Sequence, residues 1–194
     1  MKKLTALSIM AFALSFGFAQ FNLSEGSEAR FYIDEVLLGN DKTVEGISTD
    51  VTGEVSFDLS NPQAASIGTI TINAREFLTD DNRRNGAIQR RVLNSNQDEF
   101  QFITFAPTSI AGLPEAAAVG DSFDVQITGD LSIKETTLEV IFETSVRVIS
   151  ETELQGLGTT IIKHKDFGLS IPNVPIVASV EEDVRLEIAF TATQ

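Results

Sequence analysis

Apolar and polar residues alternate with a period of two through nearly the whole chain beyond residue 20, and this pattern limits the fold more than any other feature. Successive side chains of a strand point to opposite faces, so the pattern describes strands with one face buried and one in water. Phe31 and Ile33 alternate with Arg30, Tyr32 and Asp34; Val55 and Phe57 alternate with Glu54, Ser56 and Asp58. Ile70 and Ile72 flank Thr71, and Phe100 and Phe102 open another run. Phe123, Val125 and Ile127 alternate with Asp124, Gln126 and Thr128; Val140 and Phe142 alternate with Glu139, Ile141 and Glu143. The last run sets Val184, Leu186, Ile188 and Phe190 against Arg185, Glu187 and Thr191. Phe57, Phe123, Phe142 and Phe190 are expected to point inward, because their polar neighbours must reach water. Turn signals such as Gly39-Asn40-Asp41, Asn61-Pro62 and Gly120-Asp121 separate the runs. Roughly eight strands at this spacing predict an all-β antiparallel sheet, closed into a barrel or folded into a sandwich. No internal repeat or low-complexity linker interrupts residues 20–194, which read as one domain.

One segment departs from the strand pattern. Asp80-Asp81-Asn82 precedes a stretch in which Arg84, Ile88 and Val92 recur every four residues. Asp and Asn accept the unpaired amide protons of a first helical turn, so a short helix is expected between two strands. Ile88 and Val92 would pack inward over a barrel mouth. Arg84 and Arg91, seven residues apart, would share a face with Ile88 and could receive a polar ligand head at the rim. The competing reading pairs these arginines with the surplus carboxylates.

The chain starts as an exported protein does. Lys2 and Lys3 precede the apolar run from Leu4 to Phe18, and Gly17 and Ala19 stand three and one residues before a cut at Gln20. Residues 1–19 are therefore expected to be a signal peptide, and the mature chain is expected in the periplasm or outside the cell. No apolar segment reaches the ~20 residues of a membrane span, so no stable membrane insertion is expected. There is no cysteine, which excludes disulfides, thiolate metal sites and a Cys nucleophile. Without Lys2 and Lys3, twelve Lys and Arg face 28 Asp and Glu, a net charge of −16. Such a surface repels nucleic acid.

Candidates for catalysis and metal binding are few. His164, the single histidine, lies between Lys163 and Lys165 with no triad or metal-ligand spacing around it. Asp80-Asp81 fits helix capping, and Glu181-Glu182-Asp183 fits a solvated bend; neither has the spacing of a calcium loop. Gly156-Leu157-Gly158 lacks the strand-to-helix setting of a phosphate loop and marks a bulge or a tight approach within a strand. Neither an enzyme nor a cofactor is indicated.

In order along the chain, several segments resemble the YceI family of exported lipid-binding proteins. They are Ser27-Glu28-Ala29-Arg30-Phe31, then Gly53 to Asp58, then Ile70-Thr71-Ile72-Asn73 leading to Phe77-Leu78-Thr79-Asp80. Arg84 at the helix start, Ile103-Thr104-Phe105, Val125 to Ile133, and Asp166-Phe167-Gly168 with Pro172 continue the match. Asn85, Phe100-Gln101 and Thr136-Thr137 depart from the family pattern. The resemblance implies an eight-stranded antiparallel lipocalin-like β-barrel, with one short inserted helix, enclosing an isoprenoid lipid. Fourteen phenylalanines against one tyrosine and no tryptophan agree with an apolar interior.

The ligand-binding set then comprises the inward residues Phe31, Ile33, Val55, Phe57, Ile70, Ile72, Phe102, Phe123, Val125, Ile127, Val140, Phe142, Leu186, Ile188 and Phe190, with Arg84, Ile88, Arg91 and Val92 from the helix. The leading expectation is a carrier or buffer for a polyprenyl or quinone-type lipid. The alternatives are a filled barrel acting through its surface in envelope stress or assembly, and an enzyme on such a lipid. Whether the chain forms a homodimer is left open.

Overall fold

The computed structural model describes residues 19–194. The expected signal peptide lies outside the described residues, apart from Ala19. The described chain forms twelve strands in a single antiparallel sheet. They are β1 (Ala19–Leu23), β2 (Glu28–Leu37), β3 (Asn40–Ser48), β4 (Val51–Thr52), β5 (Glu54–Phe57), β6 (Ser66–Ile67), β7 (Ile70–Asn73), β8 (Phe102–Ala111), β9 (Ser122–Ile133), β10 (Thr136–Ser150), β11 (Glu153–Lys163) and β12 (Val177–Thr193). The sheet is strongly curled and barrel-like, with one short helix.

Twelve strands replace the expected eight because three long extended runs are broken, and each break lets the chain change partner. The run from β3 to β5 pairs first with β2, then through β4 with β7, then through β5 with β1 and β6. Gly53 is the hinge between β4 and β5; a Cβ there would meet Ile70 Cδ1 at 2.5 Å. Glycine at such a corner lets a curled sheet bend where a side chain would block it. In the hydrogen-bonded path β4 and β5 stand far apart, yet Gly53 alone separates them along the chain, so the sheet folds back on itself.

Inward phenylalanines lie over glycines on the neighbouring strand. Phe31 is opposite Gly46, and Phe190 is opposite Gly156. A Cβ on Gly46 would fall 2.1 Å from the Phe31 ring, and one on Gly156 would fall 2.4 Å from the Phe190 ring. Gly156 is therefore a tight approach inside β11, whose pairing with β12 runs unbroken past it.

Connections of an antiparallel meander alternate between its two ends. At one end, residues 74–101 join β7 to β8 and contain helix α1 (Asn82–Ala87). Asp81 caps it, accepting from the Arg83 N–H at 2.7 Å and the Arg84 N–H at 3.2 Å. The helix continues as a π turn over Ile88–Val92, where the Leu93 N–H donates to the Ile88 carbonyl. Ile88 and Val92 pack against the main core, which includes Ile72, Phe77, Leu131, Ile133, Phe167 and Val184. A second cluster, Phe21, Phe57, Val148, Leu154 and Ala192, fills the opposite end.

The final strand keeps the expected register. Arg185 is exposed, whereas Leu186 and Ile188 pack on the core. Glu187, expected in water, is only 8% exposed. Arg185 donates to it at 2.6 Å while lying 4.0 Å from the Tyr32 ring centre, so the strand's own neighbours cover it. Among the described residues no helix is long and apolar enough to cross a membrane.

Candidate ligand cavity

The curled sheet lines a partly open cavity of about 100 Å³. Twenty residues line it: Leu23, Val55, Phe57, Ala65, Ile67, Ile70, Phe105, Pro107, Ile110, Leu113, Phe123, Val125, Ile127, Phe142, Thr144, Val146, Leu154, Gly158, Ile188 and Phe190. Thr144 alone carries a polar side-chain atom, and its hydroxyl donates to the Phe142 carbonyl at 3.3 Å. No lining side chain can take up or release a proton. The wall offers apolar burial, worth roughly 0.8 kcal/mol per methylene, and nothing with which to bind a charge.

Two aromatic pairs shape the wall. Phe57 and Phe123 stack with centroids 6.2 Å apart and planes 15° apart; Phe105 and Phe142 meet edge-on at 4.9 Å. A cavity of about 150 Å³ admits benzene. The present void is smaller.

Of the residues expected to bind ligand, Val55, Phe57, Ile70, Phe123, Val125, Ile127, Phe142, Ile188 and Phe190 stand together on this wall. Phe31, Ile33, Ile72, Ile88, Val92, Val140 and Leu186 pack in the main core and do not line the cavity. Phe31, for example, tilts against Phe77 at 5.4 Å. Phe102 is a correction: it is 49% exposed, because Phe105 sets the inward parity of β8 and Phe102 falls on the other face.

The two arginines are corrections as well. Arg84 does not reach the cavity; it donates to Glu35 at 3.2 Å and also bonds Asp80. Lys42 binds the same Asp80 at 2.7 Å, and this contact first, with Arg84 behind it, holds the Asp80 carboxyl below its ordinary range. Arg91 is exposed, and the π turn rotates it off the line through Arg84 and Ile88. The helix closes the end of the sheet remote from the cavity. His164 is likewise buried at that end, its Nδ1 2.9 Å from the Leu169 carbonyl.

Sequence reasoning missed Leu23, Ala65, Ile67, Phe105, Pro107, Ile110, Leu113, Thr144, Val146, Leu154 and Gly158. Continuing the alternation from Phe142 would have found Thr144 and Val146, and the parity from Ile103 would have found Phe105 and Pro107. Ala65 and Leu113 sit in loops and carry no periodic signal.

Fold and cavity together define a barrel-like all-β protein with an apolar interior. The YceI-like domain family matches residues 22–192, and the chain belongs to that family. No curated protein matches the chain. Among solved structures, it is similar to a polyisoprenoid-binding domain from Saccharophagus degradans implicated in plant cell wall breakdown, with TM-score 0.69 and 14% identity over 91% of this chain and 99% of that one. BcnA of Burkholderia cenocepacia gives TM-score 0.65 and 21% identity over 86% and 96%. The YceI protein of Campylobacter jejuni gives 0.61 and 15% over 77% and 84%. At these identities the likeness is one of fold.

Proposed function

We propose that this protein binds the tail of a long-chain isoprenoid lipid in its cavity and serves as an exported carrier or buffer for it. In this reading the curled sheet acts as one barrel around the tail, residues 1–19 direct export, and the protein works in the periplasm or outside the cell. The observation that carries the proposal is the lining, in which Thr144 is the sole polar side chain among twenty residues. Such a wall distinguishes ligands by apolar area, as a methyl-branched hydrocarbon demands. The printed name of the Saccharophagus relative, a polyisoprenoid-binding domain, supports the same chemistry. The absence of any titratable group on the wall weighs against an enzyme.

The small void favours a second reading, a filled fold acting through its surface. Lipid extraction decides between the two. Protein purified from its native host and extracted with organic solvent should release an isoprenoid detectable by mass spectrometry. Protein that is empty, and that does not take up added isoprenoid, supports the filled fold instead.

A further inference from the structure

The sheet has a lateral break beside the cavity. Pairing of β8 with β7 ends at Phe105 opposite Ile70. Beyond that point, among the described residues, no backbone hydrogen bond joins β6 to β8, and Pro107 brings no N–H to the edge. Ala65 and Ile67 flank this slot on one side; Pro107, Ile110 and Leu113 flank it on the other. The slot adjoins the end of the sheet opposite helix α1. A tail seated in the cavity through this slot leaves its head at that end.

The charges there are of one sign. Loops 58–65, 112–121 and 151–152 form that end, and the Ala117 N–H ties the second to the first through the Leu59 carbonyl at 2.9 Å. They carry Asp58, Glu115, Asp121 and Glu151, and among the described residues they carry no Lys or Arg. Asp58 accepts from both the hydroxyl and the N–H of Ser60 at 2.8 Å, which keeps its carboxyl below the ordinary range and ionised. The nearest basic residue along β10, Arg147, is exposed and alternates with the inward Val146. The basic helix, Arg83 to Arg91, lies at the far end.

Resting on the reading that the cavity takes an isoprenoid tail, we infer that this mouth selects tails with an uncharged head, such as an alcohol or a quinone, and rejects the phosphate and diphosphate esters of the same tail. These carboxylates lie on exposed loops at that end, so like-charge repulsion raises the cost of bringing an anionic head there, and salt screens the effect.

The test compares geranylgeraniol with geranylgeranyl diphosphate by titration calorimetry, at low and high ionic strength. The alcohol should bind at least tenfold more tightly at low salt, and the gap should narrow at high salt. Replacing Glu115→Lys with Glu151→Lys should narrow it at low salt by strengthening binding of the diphosphate alone. Equal binding, or preference for the diphosphate, overturns this inference and leaves isoprenoid binding intact. Failure of both probes to bind overturns the underlying function instead. A preference that neither salt nor the two lysines alter also refutes the charge argument.

Discussion

Replacing Arg84→Met tests whether the helix belongs to the ligand site or to the framework. The guanidinium is 22% exposed and Glu35 is 9% exposed, so the pair is largely withdrawn from water. Removing one member of a fully buried pair costs about 3–5 kcal/mol, because the other charge is stranded. Partial exposure of Arg84, and the exposure of its second partner Asp80, bring the expected loss down to about 1–3 kcal/mol. In a domain of this size, each kcal/mol lowers the melting temperature by about 2–4 °C, so a fall of roughly 2–12 °C is expected. Methionine preserves helix propensity and length, which limits the change to the charge. Adding Glu35→Gln to the same chain should recover part of the loss, since no carboxylate is then left unpaired. Calorimetric melting and isoprenoid titration on the single and double variants measure both quantities. An unchanged melting temperature together with weakened lipid binding would refute the structural assignment of Arg84 and return it to the ligand mouth.

Phe142→Ala should cost about 3–5 kcal/mol while enlarging the cavity; the variant should melt lower yet bind longer tails more tightly, as judged by lipid titration. Gly156→Ala places a methyl 2.4 Å from the Phe190 ring and 2.5 Å from the Ser145 carbonyl oxygen; because the second neighbour is backbone, a loss of about 1–3 kcal/mol is expected in denaturant melts. Acid should destabilise the fold. Asp58, Asp80, Asp81 and Glu182 all have carboxyl groups held below their ordinary values of 3.8 and 4.5, in each case first by a hydrogen bond, from Ser60, Lys42, the Arg84 N–H and Lys165 respectively. Depressed folded-state values give stability that is present above those ordinary values and lost as pH falls through the folded ones; melting temperature should therefore hold from pH 7 to about 5 and drop below about 4.5. A bound isoprenoid at a hundred times its Kd should add about 2.7 kcal/mol, so delipidated protein should melt several degrees lower than loaded protein.

Much of the fold follows from local pattern alone. Alternation is a property of neighbouring residues, and it was enough to predict an all-β chain and the inward phenylalanines Phe57, Phe123, Phe142 and Phe190. The helix was equally legible, since Asp81 caps it through amides two and three residues away. What tertiary structure decided involves distant partners. Arg84 answers to Glu35, 49 residues earlier, and no local signal links them. Phe102 sits in an apolar run, but pairing of β7 with β8 sets which parity faces in. Breaks such as the one at Gly53 arise because a strongly curled sheet bends beyond what an uninterrupted strand tolerates, and with them the strand count rises to twelve. The cavity itself is what remains when phenyl rings from five strands, β5, β8, β9, β10 and β12, fail to fill the centre of that curl. Its place, opposite the helix and beside the slot between β6 and β8, depends on how the whole sheet closes.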